Sequence, residues 1–143
     1  MSRWEDEVRV LALDVGEQRI GVAVSDPSQT LARSLKVLER RSLQDDIAAI
    51  RRLVEELQVV QIIVGHPRSM DGTVGGQARL VEGFVRELEQ ALQVPILLWD
   101  ERLSTVTAAR LLSERGVSAR KQRGRIDSVA AAVILQDYLD SQA

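Results

Sequence analysis

Two short runs near the start of the chain, VRVLALD (residues 8–14) and IGVAVSD (residues 20–26), are rich in apolar and β-branched residues, and the VGEQR between them holds a glycine. Such a pair predicts a β-hairpin with Gly16 in its turn. Pro27 stops the second strand. ARSLKVLE (residues 32–39) then alternates roughly apolar and polar, which predicts a third strand with one face in water. After it the rhythm changes. Ser42, with Asp45 three residues on, resembles a capping box, and Ile47, Ile50, Leu53, Val54 and Leu57 keep helical spacing. VVQIIVG (residues 59–65) predicts a buried fourth strand that enters the loop GHPRSMDGTVGG. That loop opens a helix with Val81, Phe84, Val85, Leu88 and Leu92 on one stripe. PILLW (residues 95–99) is the fifth strand. It leads into Asp100, Glu101 and Arg102, a helix around Leu103 to Arg115, a basic loop, and a last helix from about Gly124 to Asp140. The order predicts an α/β fold: a mixed five-stranded sheet, three strands antiparallel and then parallel crossovers, flanked by helices.

With 143 residues the chain is expected to form one domain, residues 1–143, and to bury roughly two-thirds of its unfolded surface. Its composition, 45% hydrophobic and 28% charged, is that of an ordinary globular protein, and 3% aromatic argues against a surface that stacks many unpaired bases. The absence of cysteine excludes disulfides and thiolate metal sites. A charged start, MSRWEDEVR, and a longest apolar run of only Val129 to Leu135 point to the cytoplasm rather than a membrane.

A net charge of −2 gives no global argument for a nucleic-acid partner, so the distribution of charge has to carry it. RGVSARKQRGR (residues 115–125) brings Arg115, Arg120, Lys121, Arg123 and Arg125 together without an acid. Arg120, Lys121, Arg123 and Arg125 are therefore candidates for binding a phosphate backbone. Arg33, Lys36, Arg40 and Arg41 make a second, looser basic group.

The carboxylates suggest the chemistry. Asp14 ends the first strand, and strands four and five, added beside it through helical crossovers, would bring their C-terminal ends to the same edge. Open α/β sheets build their sites there. Glu101, just past strand five, would approach that place, with Asp100 as its rival. Asp127 shares a helix face with Ala131, Ile134 and Tyr138, and a carboxylate on an apolar face needs a partner. Carboxylates gathered at one edge repel each other unless a cation neutralises them, and hard oxygen donors select Mg²⁺ or Mn²⁺ over zinc. Two such ions about 4 Å apart can activate water and stabilise the leaving oxygen of a phosphodiester. The residues alone thus point to metal-dependent phosphoryl chemistry.

The segments ALDVGEQRIGVAVSD, VGHPRSMDGT, WDERLST and IDSVAAAVILQDYLD, in this order and over nearly the whole chain, resemble the successive motifs of the YqgF (RuvX) family. The resemblance implies an RNase H-like fold, a nuclease acting in maturation of the 5′ end of pre-16S ribosomal RNA, and Asp14, Glu101 and Asp127 as catalytic and metal-binding residues. A Holliday-junction resolvase is the older reading of the same family. Where the family usually has an apolar residue this chain has His66, and where a basic residue is frequent it has Ser128.

His66, the single histidine, is expected in the loop after strand four, where it and Arg68 could touch substrate; Asp71 there reads as turn chemistry. Strand, Asp-x-Gly and second strand also resemble the phosphate-binding hairpin of two-domain ATPases and sugar kinases, but this chain has length for one such domain. A catalytically silent nucleic-acid-binding module is the third reading. The amphipathic stripes are all accounted for by packing on the sheet, so a monomer is expected.

Overall fold

The computed structural model describes residues 8–67, 75–100 and 119–142, with the side chains of the last helix given from Ser128 onward. Five strands are present: β1 (Arg9–Val15), β2 (Arg19–Ser25), β3 (Ala32–Glu39), β4 (Val59–His66) and β5 (Ile96–Asp100). Between and after them run α1 (Leu43–Glu56), α2 (Gly76–Ala91) and α3 (Ala119–Gln142). The sheet has the order β3-β2-β1-β4-β5. β1 and β2, and β2 and β3, pair antiparallel, while β4 lies parallel to both β1 and β5. This is the mixed sheet expected from the sequence.

Alternation along the strands sorts the core into two halves. Leu11, Leu13 and Val15 of β1, with Ile20, Val22 and Val24 of β2 and Ile62 and Val64 of β4, pack against α1 and α2. The helical stripes that meet them are Ile47, Ile50 and Leu53, and Val81, Phe84, Val85 and Leu88. Val10, Ala12, Ala23 and Ile63 face the other way and are covered by Ala131, Ile134, Leu135 and Leu139 of α3. The alanines on both sides of that contact let helix and sheet approach closely.

Hydrogen bonds then fix how α3 lies. Gln136 accepts from Ala32 N at 2.9 Å and donates to the Thr30 carbonyl at 2.9 Å. Ser34 Oγ donates to the Ser128 carbonyl at 3.2 Å, and Tyr138 Oη bonds Gln61 Oε1 at 3.0 Å. Each large aliphatic side chain buried contributes about 2 kcal/mol and each such hydrogen bond about 1 kcal/mol. The apolar stripe therefore holds α3, and the polar contacts set its register. Among the described residues no helix is long and apolar enough to cross a membrane.

Local signals behave as their chemistry dictates. Gly16 N donates to the Arg19 carbonyl at 2.8 Å, and a Cβ at Gly16 would come within 3.1 Å of that same oxygen, so the β1–β2 turn favours a glycine. Ser42 caps α1 by accepting from Asp45 N at 3.0 Å. Two expectations need correction. α3 begins at Ala119, so Arg120, Lys121, Arg123 and Arg125 occupy helical positions and not a loop. Arg, Lys and Gln are good helix formers, and the single interior Gly124 costs only about 1 kcal/mol, which a helix of this length tolerates. His66, expected in the loop, is the last residue of β4 and pairs with Asp100. The helix expected around Leu103 to Arg115 lies outside the described residues.

Candidate active site

Asp14 stands next to last in β1, half-buried, on the α3 face with Val10 and Ala12. Its partner in β2 is Gly21. On the other side the pairing of Leu13 with Val64 places Gly65 beside it, and Gly65 in turn pairs with Trp99 of β5. The carboxylate is thus flanked in both neighbouring strands by residues with no side chain. A bulky neighbour on either side would fill the space beside the carboxylate.

β5 ends at Asp100, which is exposed and lies at the same edge of the sheet as the end of β1. The two strands are separated only by β4, so about 10 Å of sheet divides them. Glu101 follows immediately and lies outside the described residues, as do Arg68 and Asp71. α3 climbs toward this edge. Gln136 lies level with Ala32 and hence with Ser25 and Val10, whereas the Ser128 carbonyl lies level with Ser34, Ala23 and Ala12. Asp127 precedes Ser128 and stands one helical turn before Ala131, which packs on the sheet. Its side chain, and those of Arg120, Lys121, Arg123 and Arg125, lie outside the description.

His66 is not brought to Asp14. It falls on the opposite face with Ile62 and Val64, its side chain 8% exposed, and its Nε2 lies 3.2 Å from Glu82 Oε2 of α2. That approach is off the line of a hydrogen bond, so the two groups are neighbours without a shared proton. Of the looser basic group, Arg33, Lys36 and Arg41 are exposed, but Arg40 is not part of any rim. Its Nε lies 3.1 Å from Asp46 Oδ2, its Nη1 donates to the Gly16 carbonyl at 3.0 Å, and its guanidinium sits 5.0 Å over the Phe84 ring.

Two further residues that sequence reasoning passed over lie around the end of β1. Asp46, 5% exposed, accepts from Arg41 N and Arg40 Nε, and Gln77 Nε2 donates to the Val15 carbonyl at 3.0 Å. An acid at the start of α1, shortly after two arginines, was the available signal for Asp46; Gln77 gave none.

Comparison with known proteins agrees with this architecture. The family model described as "RuvX: Holliday junction resolvase" matches residues 8–141. A protein of Thermoanaerobacter pseudethanolicus named "Putative pre-16S rRNA nuclease" is 47% identical over 136 residues, covering 94% of this chain and 98% of its own. One of the same name from Anaeromyxobacter dehalogenans (strain 2CP-1) is 48% identical over 136 residues, covering 95% and 99%. RuvC of T. thermophilus, solved with a Holliday junction substrate, superposes with a TM-score of 0.57 at 14% identity over 94% of each chain. At that identity the likeness to RuvC is one of fold, which is RNase H-like. The sequence matches reach further, since they keep nearly half of all residues along almost the full length of both partners, and by them the chain belongs to the RuvX family.

Proposed function

We propose that this chain is a divalent-metal-dependent nuclease that hydrolyses phosphodiester bonds in a ribosomal RNA precursor, maturing the 5′ end of pre-16S rRNA as a single-domain cytoplasmic monomer. The observation that carries it is the setting of Asp14: a half-buried carboxylate between Gly21 and Gly65, at the edge where β5 also ends and toward which α3 climbs. The relatives' name supplies the substrate class.

The donor chemistry fits Mg²⁺ or Mn²⁺. Asp14, Glu101 and Asp127 offer only carboxylate oxygens, and the single imidazole, His66, is engaged with Glu82 on the other face, which disfavours zinc. Bound there, two such ions supply an activated water and stabilisation of the departing oxygen. The chain's own residues do the rest. The three carboxylates hold the ions; Gly21 and Gly65 leave a bare floor on which a sugar-phosphate backbone can lie; Arg120, Lys121, Arg123 and Arg125 draw in and hold phosphates. Arg68 is a secondary candidate for substrate contact, whereas His66, buried on the opposite face beside Glu82, is withdrawn from that role.

The test offers purified protein and Mn²⁺ a pre-16S rRNA 5′ segment and a four-way DNA junction side by side, with Asp14→Asn as control. Cleavage of the RNA by wild type alone is expected. The family description favours a second reading, junction resolution, which requires a two-fold dimer that makes paired cuts. A stable dimer that cuts junctions symmetrically and leaves the RNA intact would establish that reading instead.

A further inference from the structure

Asp14 is followed by two carbonyls that side chains from beyond the strand hold in place. Gln77, in the first turn of α2, donates from Nε2 to Val15 O at 3.0 Å, and Arg40 donates from Nη1 to Gly16 O at 3.0 Å. Arg40 is itself fixed. Its Nε meets Asp46 Oδ2 at 3.1 Å, its plane lies over Phe84, and its own backbone N–H bonds the Gln18 carbonyl at 2.9 Å. Asp46 is anchored in turn by Arg41 N at 3.1 Å. The guanidinium is 17% exposed and the carboxylate 5%, so water competes weakly for these bonds.

We propose that Arg40 and Gln77 are positioning residues for Asp14: by holding the carbonyls of residues 15 and 16 they fix where the strand end points its carboxylate. The inference rests on the nuclease reading, in which Asp14 binds the metal. Strand β1 turns at Gly16, so a carboxylate one residue before the strand's end would follow any motion of that turn. Ligand geometry has to be held to about half an ångström for full effect. Simple packing does not explain Gln77. It is exposed on α2, where many side chains would serve the helix equally well, and its bond to Val15 O adds only about 1 kcal/mol to stability. Its consequence is local order next to the carboxylate.

Two variants separate positioning from packing. Gln77→Met keeps the length of the side chain and removes the donor. Arg40→Lys keeps the charge beside Asp46 and removes the fork that reaches Gly16 O at the same time. Mn²⁺ affinity is measured by calorimetry, kcat and KM on the RNA segment across a Mn²⁺ titration, and amide exchange at Gly16 in metal-free protein. Expected in both variants are an Mn²⁺ Kd raised about tenfold, a lower kcat at limiting Mn²⁺, and RNA KM within about twofold of wild type. Gly16 N–H, bonded to Arg19 O in the turn, should exchange faster. Wild-type Mn²⁺ affinity and wild-type exchange in both variants, even with a lowered melting temperature, would overturn the inference. If wild type itself binds no Mn²⁺ and cuts no RNA, the nuclease reading falls, and the exchange measurement still decides whether the clamp exists.

Discussion

Asp14 and Gly21 face each other across the antiparallel pair of β1 and β2, a carboxylate opposite a residue without a side chain. On the α3 face of the two strands the next pair down is Ala12 opposite Ala23, so side chains there are small as the strands approach the carboxylate.

Asp14→Asn should keep the fold and abolish Mg²⁺- or Mn²⁺-dependent cleavage, by about a thousandfold or more, since removing a ligand takes away several kcal/mol of transition-state stabilisation. Asp127→Asn and Glu101→Gln should do the same. Turnover of each variant against a thermal melt is the measurement. Undiminished cleavage by Asp14→Asn would remove the carboxylate site altogether, and inactivity of Asp100→Asn with an active Glu101→Gln would move the ligand by one residue.

Arg120, Lys121, Arg123 and Arg125 occupy the first turns of α3, a helix that continues into the part packed on the sheet. Replacing two of them with Ala should weaken single-strand binding and lower the slope of log K against log salt by about 0.7 for each phosphate no longer neutralised. Helix content should not fall, because alanine is the best helix former. Fluorescence anisotropy across a salt series reads the slope directly, and an unchanged slope would show these positions to be bystanders.

Gln29 adopts φ of 57° in the β2–β3 connection, a left-handed conformation that a side chain disfavours. It is exposed, so little is given up with its side chain. Gln29→Gly should raise stability by about 0.5 to 1 kcal/mol, visible as a higher denaturant midpoint with an unchanged m-value. A fall in midpoint would mean that backbone entropy outweighs the relieved strain.

Asp26 accepts from Ser28 Oγ at 2.6 Å, Thr30 N at 2.8 Å and Leu31 N at 3.1 Å, and these bonds, that to Ser28 foremost, hold its pKa below the ordinary 3.8. A carboxylate depressed on folding stabilises the native state above its unfolded pKa and loses that contribution as pH falls through the lower folded value. Wild type should therefore exceed Asp26→Asn in stability at pH 7 and keep that margin down to about pH 4. Below that the margin should shrink. Urea melts of both proteins from pH 7 to pH 2 would show it, and a margin independent of pH would assign the effect to turn geometry alone.

What the sequence made legible was what depends on near neighbours. Runs of apolar and β-branched residues located β1 and β2, and alternation the half-wet β3; Ser42 announced its own cap; the stripe from Val81 to Leu88 named the buried face of α2. Asp14 could be singled out because a carboxylate closing an apolar strand is costly without a partner. The start of α3 was missed because a run of like charge reads as solvated chain, although arginine, lysine and glutamine extend a helix well. His66 was misplaced because a residue between Gly and Pro looks like loop, while its bond to the sheet depends on β5, some thirty residues further on. Arg40 looked like one more surface cation. Its partners at Gly16, Asp46 and Phe84 are joined to it only through space, and no local pattern carries that information.

The two halves of the core become available at different moments of synthesis. One face of the sheet can close against α1 and α2 once Leu88 has emerged, but Val10, Ala12, Ala23 and Ile63 wait for Leu139 of α3. At about 5 to 20 residues per second that delay is about 3 to 10 s, during which a nascent chain displays a bare apolar strip beside Asp14. Asp14 is made early and Asp127 late, so a chain interrupted between them would carry the first carboxylate without the helix that bears the last. Under the proposed reading, the order of the elements keeps an unfinished molecule from acting on nucleic acid, and the docking of α3 both covers the second face of the sheet and brings the last carboxylate to the site.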